Sequence, residues 1–161
     1  LRDATNQVWP YLRFAAQEPR LAQALAGVLR RETAQVLADP YANAHSQFVY
    51  DASPHAGDAT SCVAFGPSRQ GAMAPGIYER KYELDSLLAF LKLSRGYYNA
   101  TRDAAPFDAA WRRAAERALE VVQQFQLSSA EAAALPAGQP CPSTGGDGAT
   151  LAWPQLPARH L

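Results

Sequence analysis

The sequence predicts an all-α chain. Apolar residues recur three and four positions apart through most of the first 127 residues, and prolines stand where helices begin or end. The long interval between the second and third of these runs carries no helix or strand signal of its own.

Each element follows from its own residues. Ala4 to Gln17 reads as helical, but Pro10 interrupts a continuous hydrogen-bond ladder and sets the expected helix at 9–17. The second helix is expected at 20–38. Leu21, Leu25, Val28, Leu29 and Val36 fall on one face, Pro19 suits a first helical turn, and Asp39 followed by Pro40 closes the run. The third, at 82–99, carries Leu84, Leu87, Leu88, Leu91 and Tyr98 on one side and Phe90, Leu93 and Tyr97 on another. A helix apolar on two sides lies between neighbours, so with partners missing its second face should be exposed. The fourth, at 106–126, places Phe107, Trp111, Ala114, Ala118, Val121 and Phe125 inward, and Arg112, Arg113, Glu116, Arg117 and Glu120 outward. Residues 44–77, rich in Ser, Gly, Ala and Pro, form a connection long enough to be either functional or disordered. The chain divides into a helical portion, 1–127, and a Pro/Gly-rich irregular tail, 128–161, with Trp153 as its candidate anchor.

Composition narrows the function. With 161 residues, 48% of them hydrophobic, the chain is long enough for one domain with a real core. Fifteen basic and fifteen acidic residues leave no net charge, so the positive field of a phosphate-backbone binder is lacking and nucleic acid is not an expected partner. No apolar run approaches the roughly 18 residues of a membrane span, so a membrane is not an expected partner either. Cys62 and Cys141 have no CxxC spacing, and His45, His55 and His160 have no ligand spacing, so no metal is implied. Asn99 opens an NAT acceptor triplet that matters only on an exposed, secreted surface. The chain begins at Leu rather than Met and reads as a fragment.

The densest chemistry lies in YERKYELDS, Tyr78 to Ser86, where three carboxylates and two cations precede the third apolar run. Glu79 and Glu83, four apart, would share one helix face, with Arg80 and Lys81 beside them and Asp85 turned away. A solvated helix start and a buried ion-pair network are the structural readings of such a run; a polar binding site is the functional one.

Two further motifs, LRD at Leu1 to Asp3 and DPYANA at Asp39 to Ala44, stand in order with it. TRD at Thr101 to Asp103 and FD at Phe107 to Asp108 follow. This collinear set resembles glycoside hydrolase family 125, the exo-acting α-mannosidases, whose members read approximately WLRDS, DPYANAF, WERKYEIDS, TGD and FD. Here Tyr78 takes the place of the usual Trp, His45 that of an aromatic residue, and Arg102 that of Gly.

The resemblance covers roughly residues 1–126. It implies part of an (α/α)6 toroid of helical hairpins and removal of terminal mannose, chiefly from α-1,6 linkages, by inversion without metal or other cofactor. A mannose-containing glycan or oligosaccharide is the implied partner. Inversion requires a carboxylic acid to protonate the leaving oxygen and a carboxylate to activate water. The family's acid lies in a motif like FRPSDD and its base much further on, and neither occurs in these residues, so no catalytic residue is assigned.

The resemblance instead suggests a sugar-binding set: Arg2, Asp3, Tyr41, Asn43, Glu79, Arg80, Lys81 and Asp85. Arg2 and Asp3 suit vicinal hydroxyls, the one donating from a planar fork and the other accepting. Tyr41 and Asn43 would line a pocket, although Asn43 equally suits a turn in which it binds its own backbone. A helical carbohydrate-binding or structural module without catalysis is the alternative reading.

Overall fold

The computed structural model describes residues 1–55 and 74–124, together with two short strands in the tail. Four α-helices carry the fold: α1 (Arg2–Val8), α2 (Pro19–Ala38), α3 (Leu84–Thr101) and α4 (Ala109–Gln124). A 3₁₀ segment, Trp9–Phe14, continues directly from α1. The expected start near Trp9 is therefore displaced. The first helix begins at Arg2, and Pro10, which has no amide hydrogen to continue the α ladder, marks the change to the tighter 3₁₀ turn.

α2 packs on both α3 and α4, and α1 packs on α3. Leu29 and Val36 of α2 meet Phe90, Leu93 and Tyr97 of α3 and Ala114, Ala118 and Val121 of α4 in a common core, all at 1% exposure or less. The small Ala114 and Ala118 side chains allow close approach of α4. Trp111 packs edge-on against Phe107 and donates its indole N–H to Ser94 Oγ at 2.9 Å. Gly96 lets the 3₁₀ segment lie against α3, since a Cβ there would stand 2.7 Å from the Trp9 ring.

α3 is apolar on two sides, as its sequence requires, but only one side is covered. Phe90, Leu93, Tyr97 and Leu87 are buried, whereas Leu84, Leu88 and Tyr98 are 45%, 46% and 43% exposed. Leu87 thus belongs to the inward face rather than to the stripe predicted for it. The helix ends at Arg102, which adopts φ 56°, the left-handed conformation that glycine occupies most easily.

Between α2 and α3 the chain forms an antiparallel ribbon of β1 (Ala44–His45) and β2 (Ile77–Glu79). Ala44 stands opposite Glu79 and His45 opposite Ile77, with an irregularity between the two pairs. The interval predicted to lack strands therefore contains two short ones, joined by pairing that local sequence does not announce. A second ribbon joins β3 (Pro140–Cys141) to β4 (Leu151–Ala152). The remainder of the tail, its Trp153 and Phe125 lie outside the described residues, as does Cys62. No helix among the described residues is long and apolar enough to cross a membrane.

Candidate functional site

The N-terminus of α1, the turn after α2, the β-ribbon and the N-terminus of α3 come together. Arg2 in the first turn of α1 places Nη1 2.8 Å from Asp85 Oδ2 and 3.6 Å from Glu83 Oε2, and its Nε 3.5 Å from Asp3 Oδ1. These partners hold the guanidinium above its ordinary pKa, the Asp85 hydrogen bond most of all. Asp85 also suits its position, since a carboxylate in a first helical turn complements the helix dipole.

A second cluster adjoins the first. Asn43 Nδ2 donates to Glu79 Oε2 at 2.7 Å, its Oδ1 accepts the Lys81 backbone N–H at 3.0 Å, and Lys81 Nζ reaches Glu79 Oε1 at 2.7 Å. The hydrogen bonds from Lys81 and Asn43 hold the Glu79 carboxyl below its usual range. The Leu1 ammonium, one residue from Arg2, lies 3.5 Å from the Asn43 carbonyl oxygen and ties the two clusters together. Asn43 thus bridges to the ribbon instead of folding back onto its own turn.

Glu79 and Glu83 do not share a helix face. Glu79 closes β2, Glu83 caps α3 with extended backbone, and the helix begins only at Leu84. Pairing of Glu79 with Ala44 draws the first half of the motif into the ribbon.

Two members of the sequence-derived set are interior. Arg80 is 3% exposed and Tyr41 2%. Arg80 Nε lies 2.6 Å from Asp39 Oδ2, and the guanidinium sits 5.4 Å from the Tyr41 ring centroid. Asp39 in turn accepts the Tyr41 backbone N–H at 3.0 Å through Oδ1. One carboxylate therefore shapes the turn and fastens it to the residue following β2. Asp39 was legible only as a helix end. A carboxylate at a helix C-terminus opposes the dipole, and that cost was the available signal that it needs a cation.

Behind this end of the fold, Thr5 Oγ1 lies 3.0 Å and 3.3 Å from the two Glu32 oxygens and 3.1 Å from the Ala89 carbonyl. Burial pushes the Glu32 carboxyl up to about 7, with the Thr5 hydrogen bond opposing. His45 borders a separate cavity of about 200 Å³ between α2 and the ribbon, with Arg31, Gln35 and Gly76. Burial pushes its imidazole down to about 4. Its ring nitrogens have no hydrogen-bond partner of ordinary geometry among the described residues, the Gln35 backbone offering a looser contact. No group of three or more His, Cys, Asp or Glu with metal-holding geometry occurs among the described residues.

Comparison with known proteins gives this arrangement a family. The sequence profile of the metal-independent alpha-mannosidases, GH125, matches residues 1–137. The meiotically up-regulated gene 157 protein of Schizosaccharomyces pombe is 32% identical over 127 residues, 77% of this chain and 24% of that protein. Among solved structures, a Streptococcus pneumoniae protein from a study of metal-independent alpha mannosidases, in a non-productive complex with alpha-1,6-mannobiose, superposes with a TM-score of 0.65 at 32% identity. The match covers 77% of this chain and 27% of that one, so the chain spans about a quarter of the length of either relative. The helices described above form part of an (α/α)6 toroid. By profile, sequence and fold, the chain belongs to glycoside hydrolase family 125, the metal-independent α-mannosidases.

Proposed function

We propose that this chain supplies the sugar-recognising part of an exo-acting α-mannosidase site that takes the terminal mannose of α-1,6-linked glycans. The observation that carries this reading is the meeting of Arg2, Asp3 and Asp85 with Asn43, Glu79 and Lys81. These charged side chains from distant parts of the sequence remain partly open to solvent, Arg2 and Lys81 at 44% and Asp85 at 57%. A pyranose carries hydroxyls on several sides and calls for donors and acceptors arranged around it. Arg2 and Lys81 donate, Asp3, Asp85 and Glu79 accept, and the Asn43 amide does both. Arg80 and Tyr41 act from beneath, holding the turn and the ribbon in place.

Hydrolysis requires an acid and a base that this reading does not place among the 161 residues. General acid–base assistance contributes about 100- to 10,000-fold for each group. The purified chain is therefore expected to bind α-1,6-mannobiose weakly and to release no mannose. Ligand-observed NMR measures the binding, and Lys81→Ala and Arg2→Ala should each weaken it. Mannose release by the chain that disappears on Asp85→Asn or Glu83→Gln would overturn the assignment, making the charged cluster the catalytic centre. Absence of any binding would favour a structural module.

A further inference from the structure

We propose that Glu32, in its neutral carboxylic acid form, is a positioning residue that holds the first turn of α1, and with it Arg2 and Asp3, through the Thr5 hydroxyl. The inference depends on the sugar-binding reading only for the role of the turn that is held.

The argument is one of proton bookkeeping. Thr5 Oγ1 lies within hydrogen-bond distance of the Ala89 carbonyl and of both Glu32 oxygens, and all three residues are buried. A carbonyl accepts only, an ionised carboxylate accepts only, and the hydroxyl has a single proton to give. With Glu32 ionised, that proton cannot satisfy both neighbours. With Glu32 protonated, the chain closes: the carboxylic acid donates to Thr5 Oγ1, which donates to the Ala89 carbonyl. One unbroken line of hydrogen bonds then links α2, α1 and α3.

The surrounding charges do not offset an ionised Glu32. On α2, Arg31 donates to the Ser46 and Gln47 carbonyls and Arg30 is exposed. On α3, Asp85 pairs with Arg2, while Lys92 faces Asn6 and the Trp9 ring. On α1, Asp3 is exposed, and the Leu1 ammonium favours the charged form less strongly than burial opposes it. The elevated Glu32 pKa agrees with this geometry.

α1 is only 7 residues long, has no side-chain cap and buries only Thr5. So short a helix depends on its tertiary anchors, and ionising Glu32 removes the donor that completes this one.

The test follows the carboxyl carbon of Glu32 by NMR, assigned with Glu32→Gln, beside amide exchange of α1 corrected for intrinsic rate. The wild-type carboxyl should titrate near neutrality. If opening of α1 exposes Glu32, linkage predicts about tenfold more frequent opening at pH 8 than at pH 6. In Glu32→Gln, whose amide donates to Thr5 at every pH, the opening should not vary with pH. Titration of Glu32 in the ordinary carboxylate range overturns the proposal on the wild-type chain alone, whether or not the variant folds. Equal pH dependence in wild type and Glu32→Gln overturns it as well. Neither readout involves a sugar, so failure of mannobiose binding would be a separate result.

Discussion

Asp39→Asn is expected to cost about 3 to 5 kcal/mol of stability, because it removes the charge of the carboxylate that faces a buried guanidinium at 2.6 Å. Asp39 is 0% exposed and Arg80 3%, with their nearest atoms 2.6 Å apart. For charge centres about 4 Å apart at an effective dielectric of about 20, the attraction lost is about 4 kcal/mol. Asparagine preserves the volume and can still accept the Tyr41 amide, so the change isolates the charge. Against a domain stability of about 5 to 15 kcal/mol this is a large fraction. In urea, with a slope of about 2 kcal/mol/M, it should move the unfolding midpoint down by about 2 M. Arg80→Met should cost a comparable amount, since it strands the carboxylate instead. The double variant should lose far less than the sum, because neither charge then remains inside. Additive losses, or an Asp39→Asn midpoint unchanged within error, would refute the reasoning and make the pair equivalent to a surface one. The Asn43 side-chain amide resonance reports whether the turn has released the site.

The other expectations concern backbone strain and protonation. Gly76 has φ 86°, and a Cβ there would stand 2.9 Å from the Val49 backbone. Gly76→Ala should therefore destabilise the ribbon by about 1 kcal/mol or more, read as faster amide exchange at Ser46 and Ile77. Arg102→Gly should raise stability by about 0.5 to 1 kcal/mol through relief of the left-handed strain, offset in part by loss of the Arg102 contact with the Tyr98 ring at 5.7 Å; a lower melting temperature would refute it. Two buried groups should impose opposite pH dependences. His45, moved from 6.5 to about 4, contributes stability that is present above pH 6.5 and lost as pH falls to 4. Glu32, moved from 4.5 to about 7, contributes stability that is present below pH 4.5 and lost as pH rises to 7. Each amounts to about 3 kcal/mol, so denaturant midpoints of the wild type should vary little from pH 4.5 to 6.5. Over that window His45→Phe should lose stability with rising pH, and Glu32→Gln with falling pH.

What the sequence disclosed and what it withheld follow the range of the interactions. α2 was legible because its signals are local: Pro19 at one end, Asp39 and Pro40 at the other, and an apolar face between. α4 was legible from its apolar and charged faces. α1 was not, because RDATNQV has almost no apolar period and owes its place to contacts with Asp85, Glu32 and Ala89. Glu79 and Glu83 suggest a shared helix face because charges four apart suit one, whereas Glu79 ends β2 and Glu83 precedes α3. The partners of Glu79 at Asn43 and Ala44 lie more than thirty residues away, beyond any local pattern. The motifs named the right neighbourhood, but they did not distinguish Arg80 from Lys81. Burial alone makes one an internal strut and leaves the other half-exposed beside Glu79.

That distinction explains how charges open to solvent can be held in a defined arrangement. Arg2, Lys81 and Asp85 cannot position one another firmly, since exposed ion pairs are screened and gain little over free side chains. Their backbones must be fixed from behind, and each is fixed by a polar contact, two of the three buried and the third partly so. Thr5 with Glu32 fixes α1, Asp39 with Arg80 joins the DPYANA turn to the strand that carries Glu79, and Ser86 Oγ, donating to Glu83 at 3.1 Å, fixes the start of α3. The two buried contacts carry a desolvation cost that an apolar core would avoid, so stability alone does not account for both at one end of the fold. Support for the proposed binding surface would account for them, because a sugar site requires its donors and acceptors held close to the binding geometry. The open stripe of α3 extends from the same end, Leu84 beside Asp85 and Leu88 one turn beyond. Further helices of a toroid covering that stripe would lower the dielectric around Arg2 and Asp85, strengthening the same contacts without moving them.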